Sequence, residues 1–360
     1  MTVDGFGEGT GNERLVIGEP FQSIELIEAP AADVLADVGR YLAVIQDPPW
    51  VAERPHLPAP AASIAVAGME ESVLADMARS VPDELDTIVG FGGGAALDTA
   101  KYLAWKSGVA LIQIPTITSV DAAFTDAIGV RSNGRVRYVG NVLPKLVVID
   151  VEMIRRAPKS LNRAGVGDVL SCHTGLFDWS LSVATDTTYP WREDLAALGR
   201  RVLFELDACA PDIANVTADG VRFLADAYRR IGAACAHANH SRFEEGSEHF
   251  WAYTYEHMTA RHQAHGELIA LGVVAMSVLQ GNEPGWVVDL LARCEMRAHP
   301  LDLAIDESTF VATLIAAPDY ARRERLDVSI LDYVEINTTR AAEVWREVCR
   351  LPRVDPATRS

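Results

Sequence analysis

The feature that most constrains this chain is where its strands stop. Short, unbroken apolar runs at Ser63–Ala67, Asp86–Phe91, Val109–Ile114 and Leu146–Ile149 alternate with helical stretches such as Glu71–Ser80. Runs without polar alternation belong to strands buried on both faces, as in a parallel sheet covered by helices. After Asp150 such runs nearly vanish. Helical periodicity takes over at Ala164–Leu181, Glu193–Ala208, Val221–Ala236, Glu244–His262, Glu267–Gln280 and Trp286–Arg297, with closing helices at Ser308–Ala317 and Arg340–Cys349. The expected fold class is an α/β parallel-sheet domain followed by an all-α domain. At 360 residues the chain exceeds what one core usually supports, so two domains are expected, 1–155 and 156–360.

The remaining segments are less regular. Residues 1–20 read as a loosely packed arm, Ala32–Ile45 as an amphipathic segment, and the proline-dense stretch 46–62 as an irregular loop. Ala127–Val130 and Val136–Val139 flank Ser132-Asn133-Gly134, a hairpin signal. A net charge of -18 argues against nucleic acid, which is bound by clustered Lys and Arg, and against an anionic membrane surface. No uncharged apolar run approaches the ~20 residues needed to span a bilayer, and the first residues lack the basic and apolar regions of a signal peptide. Five scattered cysteines without a CxxC pair point to a reducing, cytoplasmic setting.

Three loops carry candidate chemistry. Gly90-Phe91-Gly92-Gly93-Gly94 through Asp98 and Lys101 ends a strand and opens a helix, where glycines let backbone N–H groups approach a pyrophosphate. A tight structural turn would use the same glycines, and Lys101 either neutralises phosphate or lies on a solvated helix face. Pro115-Thr116-Ile117-Thr118-Ser119-Val120-Asp121 follows the next strand, at the edge where open parallel sheets bind ligands. Its hydroxyls suit a cofactor and Asp121 a substrate hydroxyl, although such a turn also satisfies its own backbone. Asp168, just inside an apolar helix, is either a complement to the helix dipole or one ligand of an open metal site.

Four of the nine histidines, His249, His257, His262 and His265, fall between Gly246 and Gly272. Imidazole is the commonest transition-metal ligand, and the aromatic residues among them equally suit a core helix. One straight helix would hold His249 and His265 roughly 24 Å apart, so they converge only if the chain turns, and His265-Gly266 is a plausible start for a new helix. His262 and His265 could instead share one helical face. Spacing leaves both pairs open.

Taken together, GFGGGAALDTAKYLA, PTITSVDAA, LPKLVVIDVEMIRRAPKSLNRAGVGDVLS, the following FDW, SRFEEGSEH and HGELIALG, in that order over residues 60–280, resemble the sn-glycerol-1-phosphate dehydrogenase branch of the iron-containing alcohol dehydrogenase, glycerol dehydrogenase and dehydroquinate synthase superfamily. The resemblance implies a Rossmann-like nucleotide domain, a helical domain and a metal in the cleft between them. It implies metal ligands Asp168, His249 and His265, cofactor contacts at Gly92, Gly93, Gly94, Asp98, Thr116 and Ser119, and a catalytic, substrate-side Asp121. It further implies NAD(H) or NADP(H), one divalent metal (Zn2+, with Fe2+ or Ni2+ as alternatives), a small polyol or ketose substrate, phosphorylated or not, and a homo-oligomer. The expected reaction interconverts glycerol 1-phosphate and dihydroxyacetone phosphate. The rival within the superfamily is a sugar phosphate cyclase. Those enzymes generally carry a glutamate ligand and a lysine-rich phosphate site, where this chain has Asp168 followed by Val169-Leu170-Ser171-Cys172. Other departures are Val120 in place of a common asparagine, Thr125-Asp126 in place of Ser-Pro, and Phe243-Glu244-Glu245-Gly246 after Ser241-Arg242, where the family usually has Pro-x-Ser-Gly. Two added carboxylates there would repel a substrate phosphate.

Overall fold

In the computed structural model, which describes residues 24–132, 134–185 and 188–354, the last strand ends at Ile149 and every regular element after it is a helix. The strands are β1 (Leu26–Glu28), β2 (Tyr41–Ile45), β3 (Ala62–Ala65), β4 (Thr87–Gly92), β5 (Ala110–Pro115), β6 (Ala127–Ser132), β7 (Arg135–Asn141) and β8 (Leu146–Ile149). The helices before β8 are α1 (Ala31–Ala36), α2 (Pro49–Glu53), α3 (Glu71–Ala78) and α4 (Gly94–Ser107). Those after it are α5 (Val151–Arg156), α6 (Lys159–Arg163), α7 (Val166–Ser182), α8 (Glu193–Asn215), α9 (Ala218–Ala238), α10 (Ser247–Thr259), α11 (His265–Gln280), α12 (Pro284–Arg293), α13 (Glu307–Glu324) and α14 (Thr338–Val348). Among the described residues no helix is long and apolar enough to cross a membrane.

Six strands form one parallel sheet in the order β1-β8-β5-β4-β2-β3, and β6-β7 form a separate antiparallel hairpin. Every residue of β2 and β4 is buried, because helices cover both faces. One face packs Trp50, Phe91, Ile112 and Met153. The other packs Leu42, Leu74, Leu103 and Ile128. The helical half packs around α11, which is buried from Gly266 to Ser277, and this core runs on to Val147 and Ile149 of β8; a helix apolar all round belongs inside.

The chain reverses its march across the sheet at β2: β3 lies on one side, and β4, β5 and β8 on the other. Ligands bind outside the carboxyl ends of strands at such a switch. Gln46, just past β2, and Gly93, just past β4, meet there, the Gly93 N–H donating to Gln46 Oε1 at 3.1 Å.

Two local expectations are corrected. The segment Ala32–Ile45 is not one amphipathic stretch but α1 followed by the central strand β2. Between them Gly39 lies so close to Asp86 that a Cβ would stand 2.3 Å from its Oδ2, and that carboxylate accepts the Arg40 N–H at 2.7 Å, tying the entry of β2 to that of β4. The helix expected over Glu244–His262 runs only from Ser247 to Thr259, since Gly246 is extended and Ala260 adopts the left-handed conformation (φ 52°). The arm at 1–20 and Asn133 of the hairpin turn lie outside the described residues.

Candidate active site

The left-handed Ala260 ends α10, and α11 begins at His265 after an irregular turn. That reversal brings His249, in the first turn of α10, and His265 to a ring-centroid separation of 5.4 Å. Asp168 enters from the first turn of α7, its Oδ1 lying 3.6 Å from His265 Nε2. One ligand atom from each of Asp168, His249 and His265 lies within 4.8 Å of the others. Glycines make this possible. A Cβ on Gly167 would stand 2.0 Å from the Gly266 carbonyl oxygen, and one on Gly266 would stand 1.9 Å from that of Ala164. The first turns of α7 and α11 therefore meet backbone to backbone, with a ligand next to each glycine.

A second layer holds these side chains. Glu248, fully buried, accepts from the Gly246 N–H at 2.7 Å, the Thr174 hydroxyl at 2.6 Å and His249 Nδ1 at 2.8 Å. With Nδ1 so engaged, His249 has Nε2 left for a ligand bond, a common device for orienting a metal-binding imidazole. Asp178 accepts the N–H groups of Ser247 and Ile330 at 2.7 and 2.8 Å and Gln280 Nε2 at 3.1 Å, fixing the start of α10. Burial and the charge of Glu248 hold its carboxyl up at about 7.

The electrostatics are those of a crowded anionic site. Burial, then the charge of Asp121, pushes Asp168 well above the usual carboxylate range. Asp121 is raised to about 6, chiefly by burial, against the pull of Lys101. Glu244 is raised by burial and by Asp121 and Glu245. For His249 burial opposes the proton, but the hydrogen bond to Glu248 and the surrounding carboxylates outweigh it and leave the ring at about 10. His265 falls to about 3 through burial and the neighbouring His249 charge. Asp168 Oδ2 accepts the Asp121 N–H at 3.3 Å, whereas Oδ1 is buried without any hydrogen-bond partner. An orphaned carboxylate oxygen beside two imidazoles fits a divalent cation with an open coordination position.

The trio opens into a cavity of about 150 Å³, whose wall includes Asp121, Glu244, Glu245 and Tyr138. It adjoins a larger cleft of about 430 Å³ reaching Gln46, Gly93, Gly94 and Ser119, with Asp121, Tyr138 and His265 common to both. At the cleft's far end α4 begins with Gly94, an arrangement that suits an anion, since the first N–H groups of a helix lack partners within it.

A family model described as iron-containing alcohol dehydrogenase matches residues 59–158. Glycerol-1-phosphate dehydrogenase (NAD(P)+) of Hyperthermus butylicus is 29% identical over 249 residues, 69% of this chain and 70% of the relative. The enzyme of the same name from Staphylothermus marinus is 31% identical over 64% of each chain. Among solved structures, a probable glycerol dehydrogenase from Sinorhizobium meliloti superposes with a TM-score of 0.72 at 19% identity, covering 91% of this chain and 97% of that one. Glycerol dehydrogenase from Schizosaccharomyces pombe gives 0.71 at 18% identity, with 94% and 96% covered. These matches give the chain the fold of the glycerol dehydrogenases and, over residues 59–158, a likeness to the iron-containing alcohol dehydrogenase family.

The residues singled out from the sequence are arranged as follows. Asp168, His249 and His265 converge; His262 sits in the turn before α11, with its side chain 63% exposed and near Glu256, so the helical face that spacing left open for it with His265 does not form. Gly93, Gly94, Asp98 and Ser119 line the larger cleft. Gly92 (φ 153°) and Thr116 lie beneath it, the Thr116 N–H donating to the Gly92 carbonyl at 3.0 Å. Neither reading of Lys101 holds: it is buried, pairs with Asp98 at 2.7 Å and donates to the Ala127 carbonyl at 2.5 Å, anchoring the hairpin to α4. Glu248, Gln46, Tyr138 and Tyr253 were not anticipated. For Glu248 a signal existed, a glutamate directly before a ligand histidine; for the others there was none.

Proposed function

We propose that this chain is a metal-dependent, NAD(P)-linked dehydrogenase that interconverts a small polyol and its ketone, residues 1–155 carrying the nucleotide and 156–360 the metal. The observation that carries this reading is the Asp168-His249-His265 trio opening into a triose-sized cavity continuous with the glycine-loop cleft. At about 150 Å³ the cavity has room for roughly five water molecules, about the bulk of a three-carbon triol. A divalent ion held by the trio supplies Lewis acidity to the substrate oxygen, and a nicotinamide supplies or receives the hydride at the adjacent carbon. Zn2+ suits the one-carboxylate, two-imidazole set.

The chain's own residues do the rest. Gly93 and Gly94, with the start of α4, receive the pyrophosphate, and Ser119 lies between that end of the cleft and the metal ligands. Asp121, whose backbone is tied to Asp168, orients a neighbouring substrate hydroxyl or takes its proton. Glu248 holds His249 in the ligating tautomer. The relatives are named for sn-glycerol 1-phosphate, one member of this small-polyol class. Cytoplasmic location, in keeping with five free cysteines, and a homo-oligomeric assembly complete the proposal.

The test is NAD(P)H oxidation by metal-replete protein presented with dihydroxyacetone, its phosphate and a panel of small ketoses. Oxidation with at least one of them is the expected result, and no oxidation with any of them would count against the reading.

A further inference from the structure

The walls of the cavity are rich in carboxyl groups, offset among the described lining residues only by the imidazoles of the trio. Asp121, Asp126, Asp168, Glu244 and Glu245 all line it, and no Lys or Arg does among the described residues. Lys101 pairs with Asp98 at 2.7 Å, Arg131, on the adjoining cleft, pairs with Glu256 at 3.0 Å, and Arg242, two residues before Glu244, donates to the Ser182 hydroxyl and the Val328 carbonyl. One divalent ion on the trio still leaves carboxylates in excess over positive charge.

Glu244 and Glu245 are also built into place. Glu245 accepts the Tyr253 hydroxyl at 2.7 Å and the Ser241 hydroxyl at 2.9 Å, and Tyr253 in turn contacts the Tyr138 hydroxyl at 3.1 Å. Glu244 is only 9% exposed, yet among the described residues its carboxyl group receives only the weak Cys235 thiol donor at 3.6 Å. A carboxyl group buried to that extent with no ion pair among the described residues has acceptor capacity left for a donor from the ligand. The same walls offer a phosphate dianion no Lys or Arg among the described residues, and their carboxylates repel it.

Resting on the dehydrogenase reading above, we propose that the substrate is a small amino polyol: its ammonium group is bound by Glu244 and Glu245 while a hydroxyl on the neighbouring carbon faces the metal trio. Phosphorylated polyols are disfavoured by the same carboxylates.

The experiment compares kcat/KM of the Zn2+-reconstituted enzyme, with NAD+ and with NADP+, for 3-amino-1,2-propanediol, glycerol and sn-glycerol 1-phosphate. The amine is expected to exceed glycerol by about tenfold or more, the size of one charge-assisted hydrogen bond, and the phosphate to be slowest. In Glu244→Gln/Glu245→Gln protein of unchanged metal content the amine-to-glycerol ratio should fall about tenfold. Preference for the phosphate, or an unchanged ratio in the variant, overturns the proposal and leaves the dehydrogenase reading intact. Thermal shifts with the same three compounds separate the two claims. Stabilisation by the amine alone without NAD(P)H formation supports the charge selection and removes the dehydrogenase reading, and neither stabilisation nor turnover overturns both.

Discussion

Gly167→Ala is the substitution that most sharply probes how the metal centre is assembled. Its Cβ would lie 2.0 Å from the Gly266 carbonyl oxygen and 2.7 Å from the carbonyl carbon, against a floor of 3.0 Å for real Cβ contacts. The obstacle is backbone on both sides, so no rotamer change relieves it. To reach that floor the first turns of α7 and α11 must separate by about 1 Å, the difference between those two distances. Asp168 and His265 sit directly beside the two glycines and move with them, whereas metal–ligand distances tolerate only about 0.2 Å. Overpacking of this kind costs about 1–3 kcal/mol, and misplacing ligand geometry lowers metal affinity about 10–100-fold. The assay is metal content after dialysis against a graded chelator, with a thermal melt on the same samples. Gly285→Ala is the control, because a Cβ there meets nothing within 4 Å. Wild-type metal retention and melting in Gly167→Ala would refute the claim that backbone contact sets the ligand spacing.

Other outcomes follow from single contacts. Glu248→Gln removes the negative charge from the group that holds His249 Nδ1 and should weaken metal binding about 10–100-fold by chelator competition, with the fold intact by circular dichroism. Gly92→Ala forces a side chain onto a φ of 153° and puts its Cβ 2.8 Å from that of Ala96; NAD(P)H fluorescence titration should show weaker binding with metal content unchanged. Leu268→Ala, on the buried face of α11, should lower stability to urea by about 2–5 kcal/mol. Phe204→Ala, at a side chain 77% exposed, should change it by less than about 0.5 kcal/mol.

The sheet was legible where its strands are apolar throughout. Leu146–Ile149 coincides with β8, and the runs at Asp86–Phe91 and Val109–Ile114 are offset from β4 and β5 by a residue at each end. Tyr41–Ile45 is just as apolar, but it follows the short helix α1 so closely that the two merge into one periodic pattern. Leu26–Glu28 is a three-residue edge strand held by its pairing with β8, which no local pattern announces. In the site, residue types and the turn before His265 pointed to a possible convergence, and the family resemblance chose among the histidines. Local spacing could not, because the convergence depends on the backbone contact of Gly167 with Gly266, far apart in the chain. The roles of Glu244 and Glu245 were partly readable, as charges foreign to the family pattern. That Glu244 is buried with no ion pair among the described residues is a property of the folded cavity alone.

The most direct test of the proposed centre is metal stoichiometry measured beside turnover in wild-type and His265→Ala protein, both purified without chelator and reconstituted with Zn2+. About one ion per chain and metal-dependent polyol oxidation in the wild type are expected, with both lost in a folded His265→Ala variant. Substantial turnover by metal-free His265→Ala protein would contradict the assignment of Asp168, His249 and His265 as the catalytic metal site.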